Sequence, residues 1–176
     1  MKRTLCSIAA ILVTVAVYSQ NSERAGWSPE FSAKAFVSVY HGSYEITAGA
    51  RVDDNVFGLG SGLGLEFWDA IPAHVKKIPL YGFYRRYVPL GRKELFLLFG
   101  ELTVGGEYVY KIDASQEDID AGRVDTDKKW KGRATVTPGI AIRPFGKINL
   151  YIAPTLEILS HSDFMPGVTA GINVGF

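Results

Sequence analysis

The sequence predicts an all-β fold, an eight-stranded antiparallel up-and-down transmembrane β-barrel preceded by a cleavable signal peptide. Three observations predict it: side chains alternate with a period of two, connections are alternately short and long, and charges fall on one face of the strands. With 176 residues, 19 glycines and 12% aromatic residues, the chain suits a single strand-rich domain. We expect a signal peptide at 1–19, a short periplasmic N-terminal segment at 20–30 and the barrel at 31–176.

The first residues have the composition of an export signal. Lys2 and Arg3 precede an apolar stretch at 8–17, and we expect cleavage near Ser19. The apolar stretch is shorter than the ~20 residues that a membrane-spanning helix needs. Cys6 is the single cysteine of the chain and lies within this segment. The mature protein is therefore expected to have no thiol for a disulfide or a nucleophile.

The first two strands are predicted on either side of a short connection. Segment 31–41 alternates between apolar residues and a second set that includes Lys34, and segment 44–52 repeats the alternation. We place the connection between them at 41–43. The Asp-Asp-Asn run at 53–55 is typical of a tight turn and ends the second strand.

The third predicted strand, 56–68, has large apolar residues on one face and four glycines on the other. These glycines are Gly58, Gly60, Gly62 and Gly64. Glycines leave room for large neighbours, so we expect them to accommodate the rings of the fourth strand, 78–88. The same alternation predicts strands at 95–110, 133–143, 149–158 and 167–176, which brings the number to eight.

The lengths of the connections indicate how the barrel is oriented. The short ones are 53–55, 89–93 and 144–147, and the longer ones are 69–77, 111–132 and 159–166. Short periplasmic turns alternating with longer outer loops are typical of bacterial membrane barrels. The connection at 41–43 departs from this pattern because it is a short outer link.

Charge separates the two faces of the predicted strands. The more apolar face carries one charge, Arg86, whose long side chain can reach the lipid headgroups. The opposite face carries five bases and five acids, which are Lys34, Glu45, Arg51, Glu66, Arg85, Glu101, Glu107, Arg133, Arg143 and Glu157. An unpaired buried charge costs several kcal/mol, so we expect an interior ion-pair network in a lumen that side chains fill.

Aromatic residues mark the two ends of the apolar face. One predicted girdle contains Phe31, Phe57, Phe96 and Phe176, and the other contains Tyr44, Phe67, Tyr108 and Tyr110. Aliphatic residues lie between them, as expected for a lipid-facing band roughly 25 Å tall. Alternation alone does not say which face is inside, so a soluble periplasmic lipocalin-like binding barrel with the apolar face inward is an alternative.

Three segments carry a resemblance to a known family. The stretch GLGSGLGLEF, the strand IPLYGFYRRYVPL and the closing GVTAGINVGF resemble the small outer-membrane β-barrel proteins, the OmpA-like and OmpX-like barrels. The resemblance covers residues 31–176. It implies the outer membrane of a Gram-negative bacterium, contact with outer-membrane lipid, and a terminal Phe176 that serves as the assembly signal for the barrel-assembly machinery.

We expect no catalytic residue, no cofactor and no metal. The formal net charge of +1 also argues against a nucleic-acid partner. Pairing of the first and last strands would bring His41 and His161 to the outer rim near Ser162. An outer-membrane lipid-modifying hydrolase at this rim is therefore an alternative function, although the SHSD order matches no hydrolase motif.

The leading hypothesis is a non-enzymatic outer-membrane protein with a structural or surface-interaction role through its extracellular loops. The segment from Lys111 to Lys131 contains many charges of both signs and Trp130. Such a loop is typical of a solvated surface, and it is the expected contact site for an extracellular ligand or surface partner.

Overall fold

The computed structural model describes residues 26–39, 41–67, 74–91, 95–113, 115, 117, 130–160 and 164–176. The predicted signal peptide lies outside these residues, as do His161 and Ser162. The side chains of Glu66 and Phe67 also lie outside the described part.

The described residues form an eight-stranded closed barrel. Its strands are β1 Ser28–Ser38, β2 His41–Val52, β3 Asn55–Phe67, β4 His74–Leu90, β5 Phe96–Asp113, β6 Trp130–Phe145, β7 Ile148–Leu159 and β8 Phe164–Gly175. Every strand pairs antiparallel with its neighbour in the chain, and β1 also pairs with β8. The predicted fold class is therefore confirmed. In the described part of the chain, no helix is long and apolar enough to cross a bilayer.

The two ends of the barrel differ in their connections. At one end, here called the turn end, β2 joins β3 through Asp53 and β6 joins β7 through Gly146. Asp53 has φ of 53° and Gly146 has φ of 38°. Aspartate and glycine tolerate this left-handed region better than most residues, which explains their place in tight turns. The opposite end, here called the loop end, carries the longer connections after β3 and β5.

Several strand ends differ from the sequence prediction. Strand β1 begins at Ser28 rather than at residue 31, and β4 begins at His74 rather than at residue 78. The connection predicted at 41–43 is wrong, because His41 begins β2 and Gly42 pairs with Val37. The hairpin between β1 and β2 is tighter than predicted because the Ser38 Oγ accepts a hydrogen bond from the His41 backbone N–H at 3.0 Å.

The apolar face of the barrel points outward. Leu59 is 73% exposed, Ile46 is 68% exposed and Val104 is 71% exposed, whereas Glu101 and Arg85 are at most 2% exposed. Charged side chains therefore fill the lumen and aliphatic ones cover the exterior. The alternative of a soluble barrel with an apolar interior is wrong, because it requires the opposite arrangement.

Glycines and aromatic rings occupy complementary positions inside the barrel. A Cβ on Gly58 would lie 2.7 Å from the ring of Phe83, and one on Gly60 would overlap the ring of Tyr81. The predicted accommodation of the β4 rings by the β3 glycines is confirmed. Elsewhere in the lumen, the rings of Phe99 and Tyr151 stack with centroids 4.4 Å apart.

Candidate functional site

The charged lumen is the most elaborate arrangement of polar side chains in the described structure. Because interior positions recur at every second residue of each strand, it draws on β1, β2 and β4 to β7. Its charged side chains fall into two clusters, and the members of each cluster contact one another. The turn-end cluster consists of Glu30, Lys34, Arg85 and Glu101, and the loop-end cluster consists of His41, Glu45, Lys77, Glu107, Arg133 and Glu157.

Arg85 organises the turn-end cluster. Its Nε donates to Glu101 Oε2 at 2.8 Å, and its NH1 donates to Glu30 Oε1 at 2.7 Å. Its NH2 also donates to Ser32 Oγ at 3.1 Å. One fully buried guanidinium therefore joins strands β1, β4 and β5, and its fork geometry suits two carboxylates at once.

Arg133 has the corresponding role in the loop-end cluster. Its NH1 donates to Glu45 Oε1 at 2.7 Å and its Nε donates to Glu157 Oε1 at 2.5 Å. Lys77 Nζ donates to Glu107 Oε2 at 2.9 Å, and both of these side chains are fully buried. The loop-end cluster therefore connects β2, β4, β5, β6 and β7 across the lumen.

Lys34 links the two clusters. Its Nζ lies 2.6 Å from Glu101 Oε1 and 3.3 Å from Glu45 Oε2. Glu45 is further held by Tyr81, whose O–H donates to its Oε2 at 2.6 Å. Each of these buried carboxylates contacts at least one cation, which offsets the desolvation cost of placing charges inside the barrel.

Pairs of threonine hydroxyls occupy a further part of the lumen. Thr103 and Thr135 share a hydrogen bond of 2.8 Å, and Thr155 bonds both Thr137 at 3.0 Å and Thr169 at 2.6 Å. Buried hydroxyls that are paired in this way cost little. The arrangement can hold strands together and obstruct passage through the barrel.

Most of the interior charges predicted from the sequence belong to these two clusters. The exceptions among the described side chains are Arg51 and Arg143, which are half-buried near the turn end. Arg51 NH1 lies 3.9 Å from Glu30 Oε2, and Arg143 Nε donates to Asn149 Oδ1 at 3.0 Å. Glu66 lies on β3, where its backbone pairs with His41.

Three members of the clusters were not predicted in the lumen. Glu30 and Lys77 were placed in the N-terminal segment and in a loop, although both share the interior phase of their strands. Continuing the alternation from Ser32 to Glu30, and from Tyr81 to Lys77, would have found them. His41 was expected at a solvated rim. That expectation is wrong, because His41 is 1% exposed and its Nδ1 lies 2.9 Å from Glu157 Oε2.

Aromatic residues lie at both ends of the exterior. At the turn end, the rings of Phe31 and Phe176 meet edge to face with centroids 5.9 Å apart, and the ring centroids of Phe57 and Tyr84 are 5.0 Å apart. Phe96 is 49% exposed at the same end. At the loop end, the rings of Tyr108 and Trp130 are 5.2 Å apart, and Tyr44 and Tyr110 face outward. Trp130 was assigned to the loop in the sequence prediction.

A closed eight-stranded barrel with a charged, filled lumen and an apolar exterior is the architecture of the small transmembrane β-barrels. No family model and no curated protein matches the sequence. Among solved structures, the chain is similar to outer membrane protein H (OprH) from P. aeruginosa in DHPC micelles, with 13% identity and a TM-score of 0.59. The alignment covers 84% of this chain and 99% of that one.

A second solved structure supports the same fold. The N-terminal β-barrel domain of Pseudomonas aeruginosa OprF has 14% identity and a TM-score of 0.50, and the alignment covers 85% of this chain and 97% of that one. The resemblance to small outer-membrane barrels that the sequence suggested is thus confirmed at the level of the fold.

Proposed function

We propose that this protein is a non-enzymatic outer-membrane β-barrel of a Gram-negative bacterium, with a structural or surface-interaction role. The single observation that carries the proposal is the inverted polarity of the barrel. Exposed aliphatic side chains such as Leu59, Ile152 and Val104 cover its exterior, while charged residues are buried in its lumen. A continuous apolar exterior is stable in lipid and aggregates in water, so a bilayer is the environment that this surface suits.

The lumen supports a role without transport. Rings, threonine hydroxyls and the two charged clusters occupy it, and an eight-stranded barrel is only just wide enough for side chains. We therefore expect negligible ionic conductance. A planar-bilayer recording that shows a large and stable pore would contradict this part of the proposal.

The loop end supports a surface role. Strands β4 and β5 continue to pair as far as His74 and Asp113, beyond the aromatic residue Tyr110. Lys111 donates a hydrogen bond to Asp113, and with Lys76 it lowers the pKa of that exposed carboxyl from its ordinary value. Paired strands that extend past the girdle would hold Lys111 and Asp113 beyond the membrane surface, and we propose that an extracellular ligand or partner contacts the chain here.

The C-terminus is suited to the assembly step that the resemblance implies. Phe176 follows β8, is 39% exposed and packs against Phe31 beside the β1–β8 seam. We propose that the barrel-assembly machinery reads this residue and that the segment 1–19 directs export. Phe176→Ala, compared with Phe96→Ala in the same girdle, should lower the yield of folded barrel in cells without preventing folding of purified protein into detergent.

Membrane fractionation with gel mobility before and after boiling tests the location. We expect the protein in the outer-membrane fraction, with unboiled samples migrating differently from boiled ones. Trypsin added to intact cells tests the orientation, because the segment 111–131 contains several Lys and Arg residues. Cleavage in this segment is expected on intact cells. Cleavage only after the outer membrane is permeabilised would contradict the surface role, and recovery in buffer without detergent would contradict the membrane location.

A further inference from the structure

Two buried atoms of the loop-end cluster face each other without a hydrogen-bond partner among the described side chains. They are His41 Nε2 and Glu107 Oε1, which lie 3.8 Å apart. His41 is 1% exposed and Glu107 is 0% exposed, so bulk solvent does not reach either of them. Buried polar atoms in native proteins are almost always satisfied, so an orphaned pair at one place is where a water molecule or an ion can bind.

The imidazole is oriented for such a ligand. His41 Nδ1 lies 2.9 Å from Glu157 Oε2, and Arg133 holds the other oxygen of that carboxylate at 2.5 Å. When Nδ1 carries the proton and donates it to Glu157, Nε2 presents its lone pair toward Glu107. A carboxylate on the far ring nitrogen is the arrangement that orients metal-binding histidines and raises their basicity.

We propose that His41 and Glu107 bind a divalent transition-metal ion, with Zn²⁺ as the best match, and that Glu157 orients His41 from its other ring nitrogen. One ligand atom from each of the three residues can be chosen so that all lie within 4.8 Å of one another. Imidazole nitrogen and carboxylate oxygen are both ordinary zinc ligands.

The spacing of the two orphaned atoms agrees with this assignment. Two atoms each about 2.0–2.2 Å from one zinc ion are about 3.4 Å apart at the tetrahedral angle. The observed separation between His41 Nε2 and Glu107 Oε1 is 3.8 Å, so a small side-chain movement would bring both atoms into contact with one ion.

The cations of the cluster leave the ligand atoms accessible. Lys77 binds Oε2 of Glu107, and Arg133 binds Oε1 of Glu157, so one oxygen of each carboxylate faces His41. Arg133 Nε also lies 3.6 Å from Glu107 Oε1, which lowers the attraction for a second cation. An ion bound here would connect β2 and β5 directly, and β7 through the hydrogen bond between His41 and Glu157.

The test uses tag-free barrel folded in detergent, freed of metal with a chelator and titrated with ZnCl₂ by calorimetry, with bound zinc measured by mass spectrometry. We expect about one ion per barrel, and an affinity at least tenfold lower in His41→Ala and Glu107→Gln. Glu157→Gln should weaken binding about 10–100-fold, as is usual when the partner of a metal-binding histidine is lost.

Glu30→Gln is the matched control for Glu107→Gln. Both glutamates are at most 1% exposed, each has one oxygen without a hydrogen-bond partner among the described residues, and each is bound by one cation at under 3 Å. Glu30 belongs to the turn-end cluster, so Glu30→Gln should bind zinc like the unaltered protein. A similar loss in both variants would overturn the proposal, because it would show a general effect of removing a lumen charge.

Two further outcomes would also overturn it. One is a folded, metal-free wild-type barrel that binds no zinc in the titration, which would show that this group of side chains is an ion-pair cluster without a metal. The other is His41→Ala binding zinc as tightly as the wild type, which would assign the ion to an adventitious surface site. If His41→Ala fails to fold, Co²⁺ added to the wild-type barrel gives the answer, because tetrahedral ligation produces strong visible absorption and hydrated Co²⁺ does not.

Discussion

Arg85 is the residue whose replacement tests the charged lumen most directly. Arg85→Met keeps a long side chain of similar reach but removes the guanidinium that contacts both Glu30 and Glu101. Removing one partner of a buried ion pair leaves an uncompensated charge and typically destabilises a protein by about 3–5 kcal/mol. We expect a loss of this size in the free energy of unfolding.

The loss of Arg85 does not affect the two carboxylates equally, because they keep different partners. Glu101 keeps Lys34 at 2.6 Å, whereas Glu30 keeps the Tyr87 hydroxyl at 3.0 Å and Arg51 at 3.9 Å. Most of the penalty should therefore arise at Glu30. Adding Glu30→Gln to the Arg85→Met protein should recover about 1–3 kcal/mol, the cost of leaving a buried polar group unsatisfied.

Arg86 provides the control because it follows Arg85 on β4 but points outward. Near the membrane interface an arginine on the lipid face costs about 0–1 kcal/mol, so Arg86→Met should change stability by no more than about 1 kcal/mol. Urea unfolding in phosphatidylcholine vesicles, followed by tryptophan fluorescence and by heat-modifiable gel mobility, measures all four proteins. The reasoning would be refuted if both single variants lost the same stability, or if Glu30→Gln recovered nothing.

Three other substitutions test separate parts of the fold by the same urea assay. Gly60→Ala should destabilise the barrel by about 1–3 kcal/mol through overlap with the Tyr81 ring, whereas Gly100→Ala should have little effect because a Cβ there meets no atom within 4 Å. Tyr81→Phe removes a hydrogen bond to the Glu45 carboxylate and should cost about 1.5–3 kcal/mol; unchanged stability would show that the bond has no net effect. Leu59→Arg should cost about 2–4 kcal/mol in a bilayer, and a smaller loss than in Leu59→Ala would contradict the lipid-facing assignment.

Local alternation was sufficient to predict the strands, but it failed where charges interrupt it. The prediction began β4 at residue 78, directly after Lys76 and Lys77. In the structure Lys77 points inward, and the register between β4 and β5 shifts at this pair. A charge in the interior phase therefore does not end a strand in this barrel, because the lumen supplies partners such as Glu107.

The ion pairs themselves could not be predicted from the strands. Lys34 and Glu101 are 67 residues apart and lie on β1 and β5, which do not pair with each other. Their contact depends on the stagger of all the strands between them and on which rotamers fit across a narrow lumen. His41 was misplaced for a related reason, since the Ser38 side chain closes the β1–β2 hairpin in fewer residues than the prediction allowed.

Contacts inside the barrel must select this strand register, because the apolar exterior does little to distinguish one register from another. Lipid chains are as apolar as Leu59 or Ile46, so exposing such residues to a bilayer does little to distinguish one packing from another. The closed ladder satisfies the backbone of any barrel with this number of strands. What favours this register is the combination of ring-to-glycine contacts, such as Tyr81 against Gly60, with contact of each cluster carboxylate with at least one cation. A shift of one residue in a strand that carries interior charges would turn those charges toward lipid, and so the residues that oppose misfolding are those that the bilayer never contacts.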